Sequence, residues 1–158
     1  MSTRISYTGH AAGVIALAAL VFAGPVHAQE SALQSAMRAF GPDMTIPEGE
    51  NLSIRADFNG DDREDVAAVV RGPERSALVV FHATGDGYEM MPLYTRLPSG
   101  DVQLRVVPPG RRSVVGNAGG VQLKNAAVEL IFPGRSSAMY VWENGRYQVY
   151  GTESFYAR

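Results

Sequence analysis

The chain has no cysteine. That excludes disulfides, thiolate metal sites, a thiol nucleophile and a lipid-anchored N-terminal Cys. Histidine is nearly as scarce, and His10 and His27 both fall within the first 28 residues. His82, inside "ALVVFHA", is the one that remains. A single His at the end of an apolar strand reads as structural, and zinc sites need several His or Cys ligands. Lysine is also rare: beyond residue 28 there are twelve Arg and one Lys, 13 basic against 16 acidic side chains. A net charge of −3 without a basic patch excludes a nucleic-acid binder. Arg111-Arg112 is the sole basic doublet and reads as a solvated loop after "PPG". No apolar run is long enough to cross a membrane. The longest, "AAGVIALAALVFA" (11–23), has 13 residues, against about 20 for a spanning helix.

That run has another use. Arg4 precedes it, and "GPVHA" (24–28) follows with Val26 and Ala28 at −3 and −1. This is the pattern of a secretory signal peptide over residues 1–28. A second small-residue site, "VFA", ends at Ala23. No twin Arg is present, which points to general secretion. The expected product is a single β-rich domain of residues 29–158, periplasmic or secreted, with no membrane anchor after cleavage.

"ESALQSAMRAFGPD" (30–43) predicts a short helix. Leu33, Ala36, Met37 and Phe40 fall on one face, Ser31 stands where a cap is wanted, and Gly41-Pro42 stops the helix. About three turns cannot stand alone, so the helix docks on the protein's own sheet or on a partner. After the turn-rich "MTIPEGEN" (44–51) the pattern is strands. "LSIRADF" (52–58) alternates, with Leu52, Ile54, Ala56 and Phe58 on one face. "DVAAVVR" (65–71) is continuously apolar and therefore central. "ALVVFHA" (77–83), "YEMMPLY" (88–94), "DVQLRVV" (101–107) and "NAAVELIF" (125–132) follow. "RRSVVGNAGGV" (111–121) reads either as a Gly-rich loop or as a bulged edge.

"SAMYVWENGRYQVYG" (137–151) is a hairpin. Asn144-Gly145 suits a type I′ turn. A two-residue loop sets Glu143 opposite Arg146, Trp142 opposite Tyr147, Val141 opposite Gln148 and Tyr140 opposite Val149. Tyr140, Trp142, Tyr147 and Val149 then share a face, which is either core or a ligand-stacking platform, with core the better fit for large side chains. The expected fold is mainly β, α+β with one N-terminal helix. About seven or eight strands form an antiparallel meander sheet or small sandwich.

One stretch stands apart. In "ADFNGDDREDVAAVV" (56–70), acidic side chains and an Asn crowd into nine positions, Asp57 to Asp65. Oxygens at alternate positions suit a hard cation. Asp57, Asn59 and Asp61 take positions 1, 3 and 5, the Arg63 carbonyl position 7 and Asp65 position 9. Gly60 permits the tight bend. An EF-hand is excluded, because strand patterns flank the loop and position 12 is Ala68. Without metal the same loop is a solvated turn held by Asx hydrogen bonds, with Arg55 and Arg63 relieving part of the charge.

The stretch resembles the calcium loop of FG-GAP/VCBS-type repeats, D-x-[DN]-G-D-G-x-x-D before a short apolar strand. The match covers Asp57, Asn59, Gly60, Asp61 and Asp65, and departs at Asp62, where the family has a second Gly. The resemblance implies a loop joining two antiparallel strands and calcium held by Asp57, Asn59, Asp61, Asp65 and the Arg63 carbonyl. The length admits no propeller of such repeats. The function implied is an exported non-enzymatic module, clipped by structural calcium, that binds an envelope or extracellular protein or glycan. A periplasmic inhibitor or immunity protein against a secreted toxin is the alternative. A hydrolase using carboxylates drawn from Glu129, Glu143 and Glu153 is the weaker one. There is no G-x-S-x-G elbow, and strand glutamates ordinarily face solvent.

Overall fold

The structure, a computed structural model, describes residues 25–49 and 51–152. The expected signal segment up to residue 24 and Glu153 lie outside the described residues. α1 (Pro25–Phe40) leads into ten strands. Sheet one is β1 (Ser53–Ala56), β2 (Asp65–Arg71), β3 (Ser76–Ala83) and β4 (Tyr88–Tyr94), a meander in chain order. Sheet two runs β10-β9-β8-β5, from β5 (Gln103–Val107), β8 (Ala127–Phe132), β9 (Ser136–Glu143) and β10 (Arg146–Thr152). β6 (Gly110–Val114) and β7 (Asn117–Leu123) form a separate two-stranded ribbon. All pairings are antiparallel. The architecture is the expected mainly-β sandwich with one helix. The two strands beyond the expected eight come from the Gly-rich segment.

The alternation of side chains across each strand sorts the apolar residues into three cores. Ala67, Val69, Leu78 and Val80 of sheet one face Leu104, Val128, Leu130 and Tyr140 of sheet two. Val66, Ala68, Val70, Val79 and Phe81, on the opposite face of sheet one, pack under α1. Val107, Ala127, Met139 and Val141, on the outer face of sheet two, pack under Val114, Val121 and Leu123 of the ribbon. The order of layers is therefore helix, sheet, sheet, ribbon. β2 and β3 are covered on both faces, which explains their uninterrupted apolar sequences. Pro92 lies in β4, an edge strand, beside a register irregularity at Leu78/Val79, and edges and bulges are where a sheet tolerates proline.

The helix docks through Leu33, Ala36, Met37 and Phe40, the face given by their spacing. It begins at Pro25, earlier than expected and ahead of the expected cleavage point after Ala28. Ser31 is therefore not its cap. It lies inside the helix, where its carbonyl accepts a hydrogen bond from the Ser35 hydroxyl, 2.9 Å away. Among the described residues no helix is long and apolar enough to cross a membrane.

The acidic loop and the buried aspartate beneath it

β1 and β2 pair from Ser53↔Ala68 to Ala56↔Asp65, so residues 57–64 form the loop between two antiparallel strands. The backbone turns through two left-handed residues, Gly60 at φ 83° and Asp62 at φ 63°. Asp62 is the residue standing where the repeat family has glycine. Asp is among the few residues that enter this region without a large penalty. Gly60 also leaves room for a neighbour: a Cβ there would lie 2.5 Å from Asn125 Nδ2, and the Asn125 amide would have to move. Asn125 belongs to the turn before β8, so the loop of one sheet rests on a turn of the other.

The loop's acidic oxygens are bound by its own backbone. Asp57 Oδ1 accepts from the N–H groups of Gly60 (2.6 Å) and Asp61 (3.2 Å), and Oδ2 from Asp62 N–H (2.9 Å). Asn59 Oδ1 accepts from Asp61 N–H, and Asp61 Oδ1 from Arg63 N–H, both at 3.0 Å. These are the Asx bonds expected of such a stretch. Arg55 Nη1 lies 3.4 Å from Glu64 Oε1, an exposed pair of small energetic weight.

Asp65 behaves differently. It is fully buried at the start of β2, facing the space between the sheets. Its Oδ2 accepts from Phe58 N–H and meets His82 Nδ1, each at 3.0 Å, and its Oδ1 accepts from Ala83 N–H at 2.8 Å. It thus ties the loop's entry to the end of β3. The pairing Val66↔Phe81, continued by one step, sets Asp65 opposite His82. The other ring nitrogen of His82, Nε2, lies 3.3 Å from the Tyr147 hydroxyl. A consistent arrangement has His82 Nδ1–H donating to Asp65 and Tyr147 O–H donating to Nε2. His82 stacks on Tyr147, 5.7 Å between centroids and 10° between planes, and tilts against Trp142 at 4.9 Å. Trp142 and Tyr147 meet edge-on at 5.0 Å. Burial first, then the negative charges of Asp65 and Asp57, push the Tyr147 hydroxyl well above its ordinary ionisation range. Tyr147 therefore stays protonated and donates.

The five expected calcium donors thus divide. Asp57, Asn59, Asp61 and the Arg63 carbonyl belong to one turn, and every donor is oxygen, the chemistry calcium takes. Asp65 lies beneath them with three donors already on its two oxygens, and a fifth ligand at position 9 has only the remaining lone pair of Oδ1 to use. Among the described residues no three His, Cys, Asp or Glu side chains gather as a metal site, so a cation here depends on the amide and carbonyl oxygens as well as on Asp57 and Asp61. Asn125, which the linear pattern does not mark, lies against the loop, and Trp142 and Tyr147, marked only as a hairpin face, pack on His82 beneath it. The lone His82 is a satisfied buried residue.

The aromatic hairpin face divides too. Tyr140 is buried and Tyr147 packs against the inter-sheet core, while Val149 on the edge strand is 59% exposed. Of the expected carboxylates, Glu129 is buried and bound by Arg105 and Thr152, and Glu143 accepts from Tyr150 O–H at 3.3 Å. Glu129 pairs with Met139, four residues from Glu143 along β9, which is roughly 13 Å of strand.

In comparisons with known proteins, no family model matches the chain, no curated protein matches it and no solved structure matches it.

Proposed function

We propose that the protein is an exported, non-catalytic binding domain in which the loop 57–65 takes a structural calcium ion. Asp57, Asn59 and Asp61 offer side-chain oxygens and Arg63 its carbonyl, with Asp65 as the anchor below. The observation that carries this reading is the loop's conformation. A tight turn with left-handed residues at Gly60 and Asp62 joins two antiparallel strands, as the resemblance to FG-GAP/VCBS-type loops implies. Bound there, calcium supplies positive charge to a turn crowded with carboxylates and stiffens the junction between the sheets. It contributes RT ln(1 + [Ca]/Kd) to stability. Outside the cytosol even a site with Kd of about 10⁻⁴–10⁻³ M fills. The partner is an envelope or extracellular protein or glycan.

Calorimetric titration of the 29–158 protein with calcium, beside thermal melts in EDTA, Mg²⁺ and Ca²⁺, tests the reading. One-site binding that is lost in Asp61→Ala, with a melting shift specific to calcium, is the expected result. No heat and no shift at several times about 1 mM calcium would sink it.

A second reading has its own observation. The loop is already self-bonded, and Asp61, Asp62 and Glu64 are exposed on it. Such a surface fits a basic partner without metal, as in an inhibitor or immunity protein against a secreted toxin. Absence of calcium binding, together with salt-sensitive association through Asp62 and Glu64, is the result this reading predicts.

A further inference from the structure

The outer face of sheet two carries a second polar cluster, remote in sequence from the loop. Glu129, only 3% exposed, projects from β8 toward the ribbon side. Its Oε2 accepts from Arg105 Nε at 2.8 Å and from Arg105 Nη2, and its Oε1 accepts from Thr152 Oγ1 at 2.7 Å. Thr152 in turn meets the hydroxyl of Ser137. The carboxylate is thus fully committed. Arg105 is not: two of its five N–H donors go to Glu129, and its side chain is 59% exposed.

Beside this cluster is a cavity of about 370 Å³ between the ribbon and the sheet. Arg105, Glu129, Thr152 and Met139 line it from the sheet, and Arg112 and Ser113 from the ribbon. Arg112 is held in place by neutral acceptors, the carbonyls of Pro108 at 2.8 Å and Arg111 at 3.2 Å. Among the described residues no carboxylate forms an ion pair with it. Val107 and Pro108 give the cavity an apolar wall.

An ion pair that buries one of its partners is a poor device for stability alone, since apolar residues of similar volume serve a sheet face as well or better. What Glu129 does achieve is orientation. It locks one edge of the Arg105 guanidinium and leaves the other edge open. Two held guanidinium groups and one carboxylate line the cavity, which leaves a net positive site. Guanidinium recognises carboxylates by paired hydrogen bonds. The volume, at the small end of ligand pockets, suits a molecule no larger than a short peptide end.

From this we infer that the cavity under the β6–β7 ribbon binds a small carboxylate with an apolar arm, such as a peptide C-terminus ending in an aliphatic residue. The carboxylate sits on Arg105 and Arg112 and the arm against Val107 and Pro108. This site is independent of the calcium loop.

The test is an NMR titration of the purified protein with N-acetyl-valine, its neutral amide and inorganic phosphate. The acid is expected to bind with Kd of about 1–10 mM, shifting amides of β5, β6 and β8, and the amide is expected to bind at least about tenfold more weakly. Arg112→Gln, on the exposed ribbon, is expected to weaken the acid by about tenfold. The paired change Arg105→Met with Glu129→Met removes both charges without stranding either, and is expected to abolish binding while the fold persists. Equal binding of acid and amide, no binding of the acid, or unchanged affinity in Arg112→Gln would overturn the proposal. Phosphate binding in place of the acid would overturn the carboxylate assignment.

Discussion

Asp65 decides more of this molecule than any other acidic residue in the loop. Three donors from two parts of the chain, Phe58 N–H at the loop entry and His82 with Ala83 N–H at the end of β3, converge on one carboxylate that water does not reach. Asp65→Ala strands all three, and the expected loss is about 3–5 kcal/mol in urea denaturation. Two neighbouring turn residues make an opposed pair. Gly60→Ala combines a left-handed Cβ with a close approach to Asn125, and costs at least about 1–2 kcal/mol. Asp62→Gly relieves the smaller strain at φ 63°, and gains less than about 1 kcal/mol. It also tightens calcium on the proposed reading, which titration of the variant checks. Removing Asp62 as a calcium ligand is not at issue, because only its N–H enters the loop's bonding.

At the scale of elements, the hairpin β9–β10 and the helix show how differently local and distant forces act. Glu143↔Arg146, Trp142↔Tyr147, Val141↔Gln148 and Tyr140↔Val149 are all paired as the two-residue turn requires. Asn144 at φ 52° and Gly145 at φ 77° make that turn. Asn144→Ala is expected to lose about 1 kcal/mol without changing register, readable from melts and from unchanged cross-strand NOEs. The helix depends on what it covers. Leu33, 4% exposed, is its deepest contact with sheet one, and Leu33→Ala is expected to cost about 2–5 kcal/mol by denaturation. The helix face was legible because a 3.6-residue period appears in any apolar stripe. Its start was not, because Pro25 fits a first helical turn as well as it fits a linker. The Gly-rich segment 111–121 stayed ambiguous for a related reason. Its own sequence carries few large side chains, and Val114 and Val121 become core residues only by lying on sheet two.

At the scale of the whole molecule, two tyrosines contribute to the response to alkali. Burial, then Tyr94, raises the Tyr140 hydroxyl from its ordinary 10.0 to about 12, and Tyr147 moves the same way through burial and the nearby Asp65 and Asp57. The unfolded chain releases these protons first. The stability they lend is complete below about pH 10 and is lost as pH rises through the folded values. Melting temperature is therefore expected to fall steadily above about pH 10, with a shallower fall in Tyr147→Phe. A profile equally steep in that variant would show that Tyr147 is not coupled to folding. The aromatic cluster that joins His82 to Trp142 and Tyr147 lies between the sheets, so its loosening separates them.

By itself the sequence determined whatever depends on near neighbours: the alternation and continuity of apolar residues that mark β1 and β2, the docking face of the helix, the two-residue hairpin turn and the oxygen-rich loop between antiparallel strands. These follow from local sterics and side-chain period. Tertiary structure alone decided that β5 pairs with β8, that β6–β7 folds over sheet two, and that Asp65, His82 and Tyr147 meet. It also decided that Glu129, expected on a solvent-facing strand position, is buried under the ribbon beside Arg105. Each of these joins residues far apart in the chain. The force that selects them is burial between layers, which no local window of sequence contains.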